Sequence, residues 1–284
     1  MKNKNHIIPQ LILRRYSTIP NHYTAHHLWL HNTYTKQDKF VPMKAQCQKH
    51  RLYELYGEDN QIVAGTENAI ENLLAEIETK IAPIIQKVQE KQTLTDEDRG
   101  GLLFFTAIQI LRTPESLQVS AQYFHRKAPH ISQAQTQRLA LIMGLLVQPN
   151  LQNNTTLVNI LEWLDNYKMV IWCAPWNNSF ILNQKRPVGV FMPTRGDVSN
   201  AIVTYPITAT RCLAFIHDDH QASPDYRPIE NSWVDWVNYH NYTNDSKIVY
   251  SKYIVTELPF YKRLVLPKLQ KSTESIRTFL AVKS

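Results

Sequence analysis

The stretch "TLTDEDRGGLLFFTAIQILRTP", residues 93–114, decides how the chain folds. Thr95 followed by Asp96, Glu97 and Asp98 is a helix start, with a hydroxyl to cap open amides and acids on the positive end of the helix dipole. From Leu102 to Leu111 the run is apolar nearly all round. A helix of that kind is buried on most sides, so this segment is expected to be the central helix of the fold. It is charged or broken at both ends and falls short of the roughly 18 apolar residues a membrane span takes. Pro114 is expected to interrupt or kink it, and Arg112 stands at its edge.

Upstream, "TENAIENLLAEIETKIAPIIQKVQEKQ" (66–92) repeats Ile70, Leu73, Leu74, Ile77, Ile81, Ile84, Ile85 and Val88 at three- and four-residue spacing, an amphipathic helix. Pro83 inside it predicts a kink or a junction of two helices. Downstream, 116–126, 131–147 and "TTLVNILEWLDNY" (155–167) read as further helices. After Tyr167 the pattern changes to short β-branched and aromatic runs, "KMVIWCAP", "SFILN", "VGVFMP", "NAIVTYPI" and "RCLAFIH", parted by Pro, Asn and Gly, as in an antiparallel meander. "NSWVDWVNYHNYTND" returns to helical spacing and "KIVYS" reads as a last strand. Neither an internal repeat nor a low-complexity linker is visible, so a single α+β domain over residues 1–251 is the simplest account, with a basic extension at 252–284 packed on it.

The chain has 284 residues, 43% hydrophobic and 10% aromatic, enough for a sizeable core. Its formal charge of +7 and pI near 9.2 suit an anionic partner such as RNA or DNA. The cysteines Cys47, Cys173 and Cys212 are few, odd in number and widely spaced, which fits a reducing compartment and argues against a Cys-x-x-Cys site. The apolar run Ile7–Leu13 is broken by Pro9 and followed by Arg14 and Arg15, unlike a signal peptide, so a cytoplasmic, non-membrane protein is expected. With seven glycines there is no Gly-rich phosphate loop, and neither His-Glu-x-x-His nor Gly-x-Ser-x-Gly occurs.

Several motifs in order resemble one family. "HIIPQLILRRYS" (His6, Pro9, Leu13, Arg14, Arg15, Tyr16) is similar to the opening His-x-x-Pro-x-x-x-Leu-Arg-x-aromatic of the family called domain of unknown function four-two-three-eight. "HLWLHNTYTKQDKFVPMKAQCQKHRLYEL" resembles its strand, turn and strand, and "AIQILRTPESL" its central Arg-Thr-Pro element. "NSFILNQKRPVGVF", "IVTYPITATRCLAF" and "VNYHNYTNDSKIVYS" follow in the family's order, so the likeness runs from His6 to about Ser251. It implies a shared fold and lends no reaction. Where the family carries an aspartate before its Pro-Val strand, this chain has Asn183, Gln184 and Lys185, which puts in doubt any chemistry resting on that acid. The expected architecture is thus α+β: a helical layer over about 66–166 packed on an antiparallel sheet made by an N-terminal hairpin and the strands of about 168–217.

The resemblance also bears on "NHYTAHHLWLHN" (21–32). His22 and His26, and His27 and His31, have the spacing of one helical face. In the extended segment the family implies, His27, Trp29 and His31 share one face of a half-exposed hairpin strand, with His27 and His31 about 13 Å apart at strand rise, too far to share one metal. "HDDHQASPD" (His217, Asp218, Asp219, His220) carries metal-capable side chains but reads as a solvated turn, and neither metal nor cofactor is expected.

The sharper cluster is His6 and Arg112 as catalytic candidates, with Arg14, Arg15, Lys185 and Arg186 as anion-binding ones. An arginine beside a long apolar run needs an internal carboxylate or an anionic ligand. Its planar fork suits phosphate, and a histidine near neutral pH serves as general acid or base. The leading expectation is a nucleic-acid-directed protein. The alternatives are a metal-independent nuclease or other phosphoryl-directed hydrolase, and a non-catalytic interaction module presenting Trp163, Trp233 or Trp236. Oligomeric state is not readable.

Overall fold

The computed structural model describes residues 4–20, 24–50, 52–54, 61–62, 68–116 with 118, 122 and 126, 155–192, 200–217, 225–243, 246–259 and 261. The N-terminal third runs β1 (Lys4–His6), α1 (Gln10–Arg15), β2 (His27–Asn32), β3 (Gln37–Pro42) and β4 (Gln48–His50). Two long helices follow, α2 (Ala69–Glu90) and α3 (Asp96–Leu111), then α4 (Thr155–Asp165). The rest is β5 (Lys168–Cys173), β6 (Leu182–Asn183), β7 (Gly189–Phe191), β8 (Ile202–Thr208), β9 (Arg211–Ile216), β10 (Tyr226–Pro228), α5 (Asn231–Thr243) and β11 (Ile248–Ser251). The fold is α+β, as the pattern implied. The helices expected at 116–126 and 131–147 lie mostly outside the described residues, as do most of the acidic turn at 218–224 and the tail beyond 261.

Thr95 caps α3 as its sequence demands. Its hydroxyl accepts from Asp98 N at 3.1 Å while the Asp98 carboxylate accepts from Thr95 N at 3.0 Å, a reciprocal capping box. Lys87, in the last turn of α2, reaches the same carboxylate at 2.8 Å and fixes the angle between the two helices. Gly101 lets them approach, because a Cβ there would lie 3.0 Å from Ile84 Cδ1 and 3.3 Å from Ile81 Cδ1. The expected break at Pro83 does not divide α2, which passes through it as one helix. Packing against α3 outweighs the hydrogen bond that proline removes.

The sheet is partitioned further than the sequence suggested. Five strands in the order β10-β5-β9-β8-β7 form the central sheet, with β10 parallel to β5 and the other pairs antiparallel. The N-terminal hairpin β2–β3 instead joins β11 and β6 in a four-stranded sheet ordered β3-β2-β11-β6, and β1 pairs β4 in a separate ribbon. Alternation explains the layering. Val203, Tyr205, Ile207, Leu213 and Phe215 face the helical layer with Leu102, Phe105, Ile81 and Ile85. Their neighbours Val170, Trp172, Ile202, Cys212 and Ala214 pack on Val234 and Val237 of α5. Buried on both faces, β8 loses the polar-apolar alternation of a half-exposed strand.

The asparagines of α5 act as a substitute strand edge. Asn238 accepts from Ile181 N at 2.9 Å and donates to Ser179 O at 2.7 Å, and Asn241 donates to Ile181 O at 3.0 Å. The backbone of 179–181 is thereby paired without a neighbouring strand. Among the described residues, no helix is long and apolar enough to cross a membrane.

Candidate functional site

His6 ends β1, opposite Gln48 of β4 in the antiparallel register. Pro9 follows after two residues; its carbonyl accepts from Ile12 N and Leu13 N and opens α1 at Gln10. That turn brings Gln10 back onto His6. The Gln10 amide donates to His6 Nε2 at 2.9 Å and the Gln48 amide at 3.2 Å. With both amides presenting NH2 groups, Nε2 is the acceptor and the ring proton lies on Nδ1. Nδ1 faces Glu71 Oε1 at 3.9 Å, an ion-pair rather than a hydrogen-bond separation. Glu71 sits in the first turn of α2 and also accepts from Asn5 Nδ2 at 3.3 Å. Burial alone would raise its pKa, but His6, Arg112 and Asn5 together hold it below the usual carboxylate range. Tyr16, the aromatic of the N-terminal motif, anchors α1 by donating to the carbonyls of Pro206 and Thr208 at 3.1 and 2.9 Å, at the irregularity in β8.

Arg112 meets His6 from behind. Its side chain is 1% exposed, and all three nitrogen positions are engaged. Nη1 donates to Glu78 Oε1 at 3.0 Å, Nε to the Tyr53 hydroxyl at 3.3 Å, and Nη2 to the His6 carbonyl. Its guanidinium carbon lies 5.7 Å from the Tyr53 ring centroid. Burial disfavours its charge, yet the Tyr53 and Glu78 oxygens outweigh that and keep it protonated. Tyr53 in turn donates toward the His6 carbonyl at 3.2 Å. Of the two partners the sequence allowed this arginine, an internal carboxylate or an anionic ligand, the described structure supplies the carboxylate.

The other candidates are not gathered here. Arg14 is exposed, and Arg15 donates to Gln86 at 2.7 Å and Gln89 at 2.8 Å on α2. Burial, then the neighbouring Arg14, lowers the pKa of Arg15. Lys185 and Arg186 converge on Glu115, Lys185 at 3.5 Å and Arg186 through Nε. Glu115 lies three residues beyond Arg112, so a carboxylate does serve the "NQKRPV" turn, from another part of the chain. Asn183 is buried and builds the turn itself, accepting from Lys185 N at 2.8 Å and Arg186 N at 2.9 Å.

Asn5, Tyr53, Glu71 and Glu78 escaped the sequence reading. A signal existed for two of them: Glu71 and Glu78 are seven apart on an amphipathic helix, hence on one face, and a buried arginine calls for such a face.

Of the histidine-rich segment, His27–Asn32 form the extended strand expected, though not a half-exposed one, and His22 lies outside the described residues. β2 lies between β3 and β11, with His31 fully buried and His27 at 7% exposure. His27 stacks on Phe40 with ring centroids 5.2 Å apart, and His26 pairs with Ser17 Oγ at 2.9 Å. Among the described residues no group of three or more His, Cys, Asp or Glu side chains is placed to hold a metal. Trp233 and Trp236 pack with Trp172, Phe191 and His240 in an aromatic cluster, and the exposed indole is that of Trp176, at 98%.

No curated protein and no solved structure matches the chain. A family model described as "Protein of unknown function (DUF4238)" matches residues 4–253, a span that takes in His6, Glu71, Arg112 and the eleven strands found among the described residues. The likeness first carried by the His6-to-Tyr16 motif therefore extends over the described fold, and the chain belongs to the DUF4238 family.

Proposed function

We propose that this protein acts on nucleic acid as a metal-independent phosphodiester hydrolase with His6 as its acid–base group. The observation that carries the reading is the poise of that imidazole. Nδ1–H faces a carboxylate held ionised, and the Nε2 lone pair is met by two side-chain amides that a substrate hydroxyl or water can displace. A base so arranged takes a proton at Nε2 while Glu71 steadies the imidazolium. The whole chain carries a formal charge of +7, which favours a polyanionic substrate. In this reading Arg112 holds the His6 backbone in place and gives Glu71 a cation to face.

A binder without turnover is the second reading. The engagement of Arg112 favours it, since each of its nitrogens is already bonded within the protein and its charge is paired with Glu78 rather than turned to a phosphate.

The test is incubation with single- and double-stranded RNA and DNA, with and without EDTA, at two salt concentrations. Cleavage that survives EDTA and falls by roughly a hundredfold or more in His6→Ala is the expected result. A salt-sensitive shift without cleavage supports the binder, cleavage unchanged in His6→Ala removes His6 from the mechanism, and neither binding nor cleavage overturns both readings.

A further inference from the structure

The buried histidine of β2 belongs to a second polar centre. His31 is 0% exposed and lies directly opposite Asp38 of β3. Asp38 Oδ1 is 3.1 Å from His31 Nδ1. The same carboxylate accepts from Val255 N at 3.1 Å, Thr256 N at 3.4 Å and Thr256 Oγ1 at 2.8 Å, so its orientation is fixed from both sides. With Asp38 accepting at Nδ1, the ring proton lies there and Nε2 offers a lone pair. That lone pair is 3.2 Å from the hydroxyl oxygen of Tyr242, delivered by α5.

The phenol oxygen is supplied with donors as well. Lys36 Nζ donates to it at 2.9 Å and lies 4.9 Å from the ring centroid. The Tyr261 hydroxyl is hydrogen-bonded to it, with the two rings edge to face at 5.9 Å. Lys36 is held at φ 58°, in the left-handed region that a lysine seldom adopts, by a turn in which Asn32 Oδ1 accepts from Tyr34 N and Thr35 N. Tyr242 thus has a neutral base at its proton and two donors at its oxygen; burial and the Asp38 charge hold its pKa above the usual phenol value, so the proton leaves only as the base takes it. A link between hairpin and helix needs one such bond, and it does not need an exposed ammonium brought in at positive φ. Tyr242 is buried, at 9% exposure, and the Lys36 that meets its hydroxyl is exposed.

We infer that Tyr242 is a base-assisted nucleophile toward a phosphoryl group, with His31 as general base, Lys36 as the cation facing the developing charge, and Asp38 as a positioning residue. The Lys36 ammonium favours an anionic phosphoryl group over a neutral acyl one. In the step, the bond from Tyr242 Oη to phosphorus forms as the bond from phosphorus to its leaving oxygen breaks. The phenol proton passes to His31 Nε2 and then to the leaving oxygen, which keeps the electron pair. This centre stands on β2, β3 and α5 and does not rest on the His6 reading.

The test uses the full chain and an alkyl fluorophosphonate, whose fluoride leaves as the phosphorus–Oη bond forms, with the labelled residues located by tandem mass spectrometry. Tyr34 and Tyr253, 68% and 49% exposed, are internal controls. Tyr242 is expected to label roughly a hundredfold faster than either, although it is far less exposed. His31→Gln removes that advantage and Lys36→Met reduces it. The wild-type rate rises as His31 loses its proton, and Asp38→Asn moves that inflection to lower pH, because the carboxylate favours the imidazolium while Lys36 opposes it and the Tyr242 and Tyr261 phenols stay neutral. Labelling of Tyr242 no faster than of Tyr34 and Tyr253, or undiminished in His31→Gln, overturns the inference. Should His31→Gln fail to fold, the wild-type comparison and the surface variant Lys36→Met decide alone. The adduct is read on Tyr242 itself, so its failure leaves the His6 reading standing.

Discussion

Replacing Arg112 by methionine separates a structural arginine from a ligand-binding one. The substitution keeps the apolar stem and removes the charge and three hydrogen bonds. It leaves the Glu78 carboxylate at 21% side-chain exposure, the His6 carbonyl and the Tyr53 hydroxyl without their cation. Removing one member of a buried ion pair costs about 3–5 kcal/mol, because the remaining charge is stranded. Partial exposure lets water reach Glu78 and pulls the value toward the lower end, while the two other lost bonds add about 1 kcal/mol each. A net loss of about 3–5 kcal/mol follows. With a urea dependence of about 3 kcal/mol per molar, the unfolding midpoint should fall by about 1–1.7 M. The double variant with Glu78→Gln should recover part of this, as the stranded carboxylate is gone, giving a coupling of about 1–2 kcal/mol. A midpoint within about 0.3 M of wild type, together with lost nucleic-acid binding, would refute the reasoning and make Arg112 a ligand group.

Two further outcomes are expected. Thr95→Ala breaks the capping box of α3 and should cost about 1 kcal/mol in urea unfolding; an unchanged midpoint would mean that Lys87 and Asp98 alone hold that helix end. Burial lowers the His240 pKa to about 4, against about 6.5 in the unfolded chain, so the unfolded state binds the extra proton between those values. Stability should therefore be full above about pH 6.5 and fall as pH drops toward 4, by up to about 1.4 kcal/mol per unit. His31, also lowered mainly by burial, acts in the same direction. His240→Phe, packed on Phe191 and Trp236, should flatten that slope, and an unchanged slope would place the titrating group elsewhere.

What the sequence revealed and what it hid divide by range. Local signals were legible: the Thr95 cap, the all-apolar face of α3, the period of α2 and the extended runs after Tyr167 each depend on a few neighbouring residues. Assignment of strands to sheets was not legible. β2 finds β11 more than two hundred residues away, and the other edge of β11 is taken by β6, next to the 179–181 segment that Asn238 and Asn241 of α5 hold. For the same reason His6 and Arg112 were readable as polar groups in apolar settings, while Glu71, Glu78 and Tyr53 were ordinary members of a helix face and a loop. A buried cation announces that it needs a partner, but a carboxylate on an amphipathic helix does not announce that it is one.

The two histidine centres show why like geometry does not imply like reactivity. Each imidazole turns Nδ1 toward a carboxylate and Nε2 toward another polar group. At His6 the partner of Nε2 is an amide pair, which has no proton to give up near neutral pH, so the base acts only when a substrate displaces the amides. At His31 the partner is a phenol whose conjugate base is already met by Lys36 and Tyr261, so the reactive group is part of the protein. His6 should therefore reveal itself in turnover and Tyr242 in a covalent adduct. Since β1, β4 and α2 frame one centre and β2, β3 and α5 the other, loss of either signal has no structural reason to abolish the other.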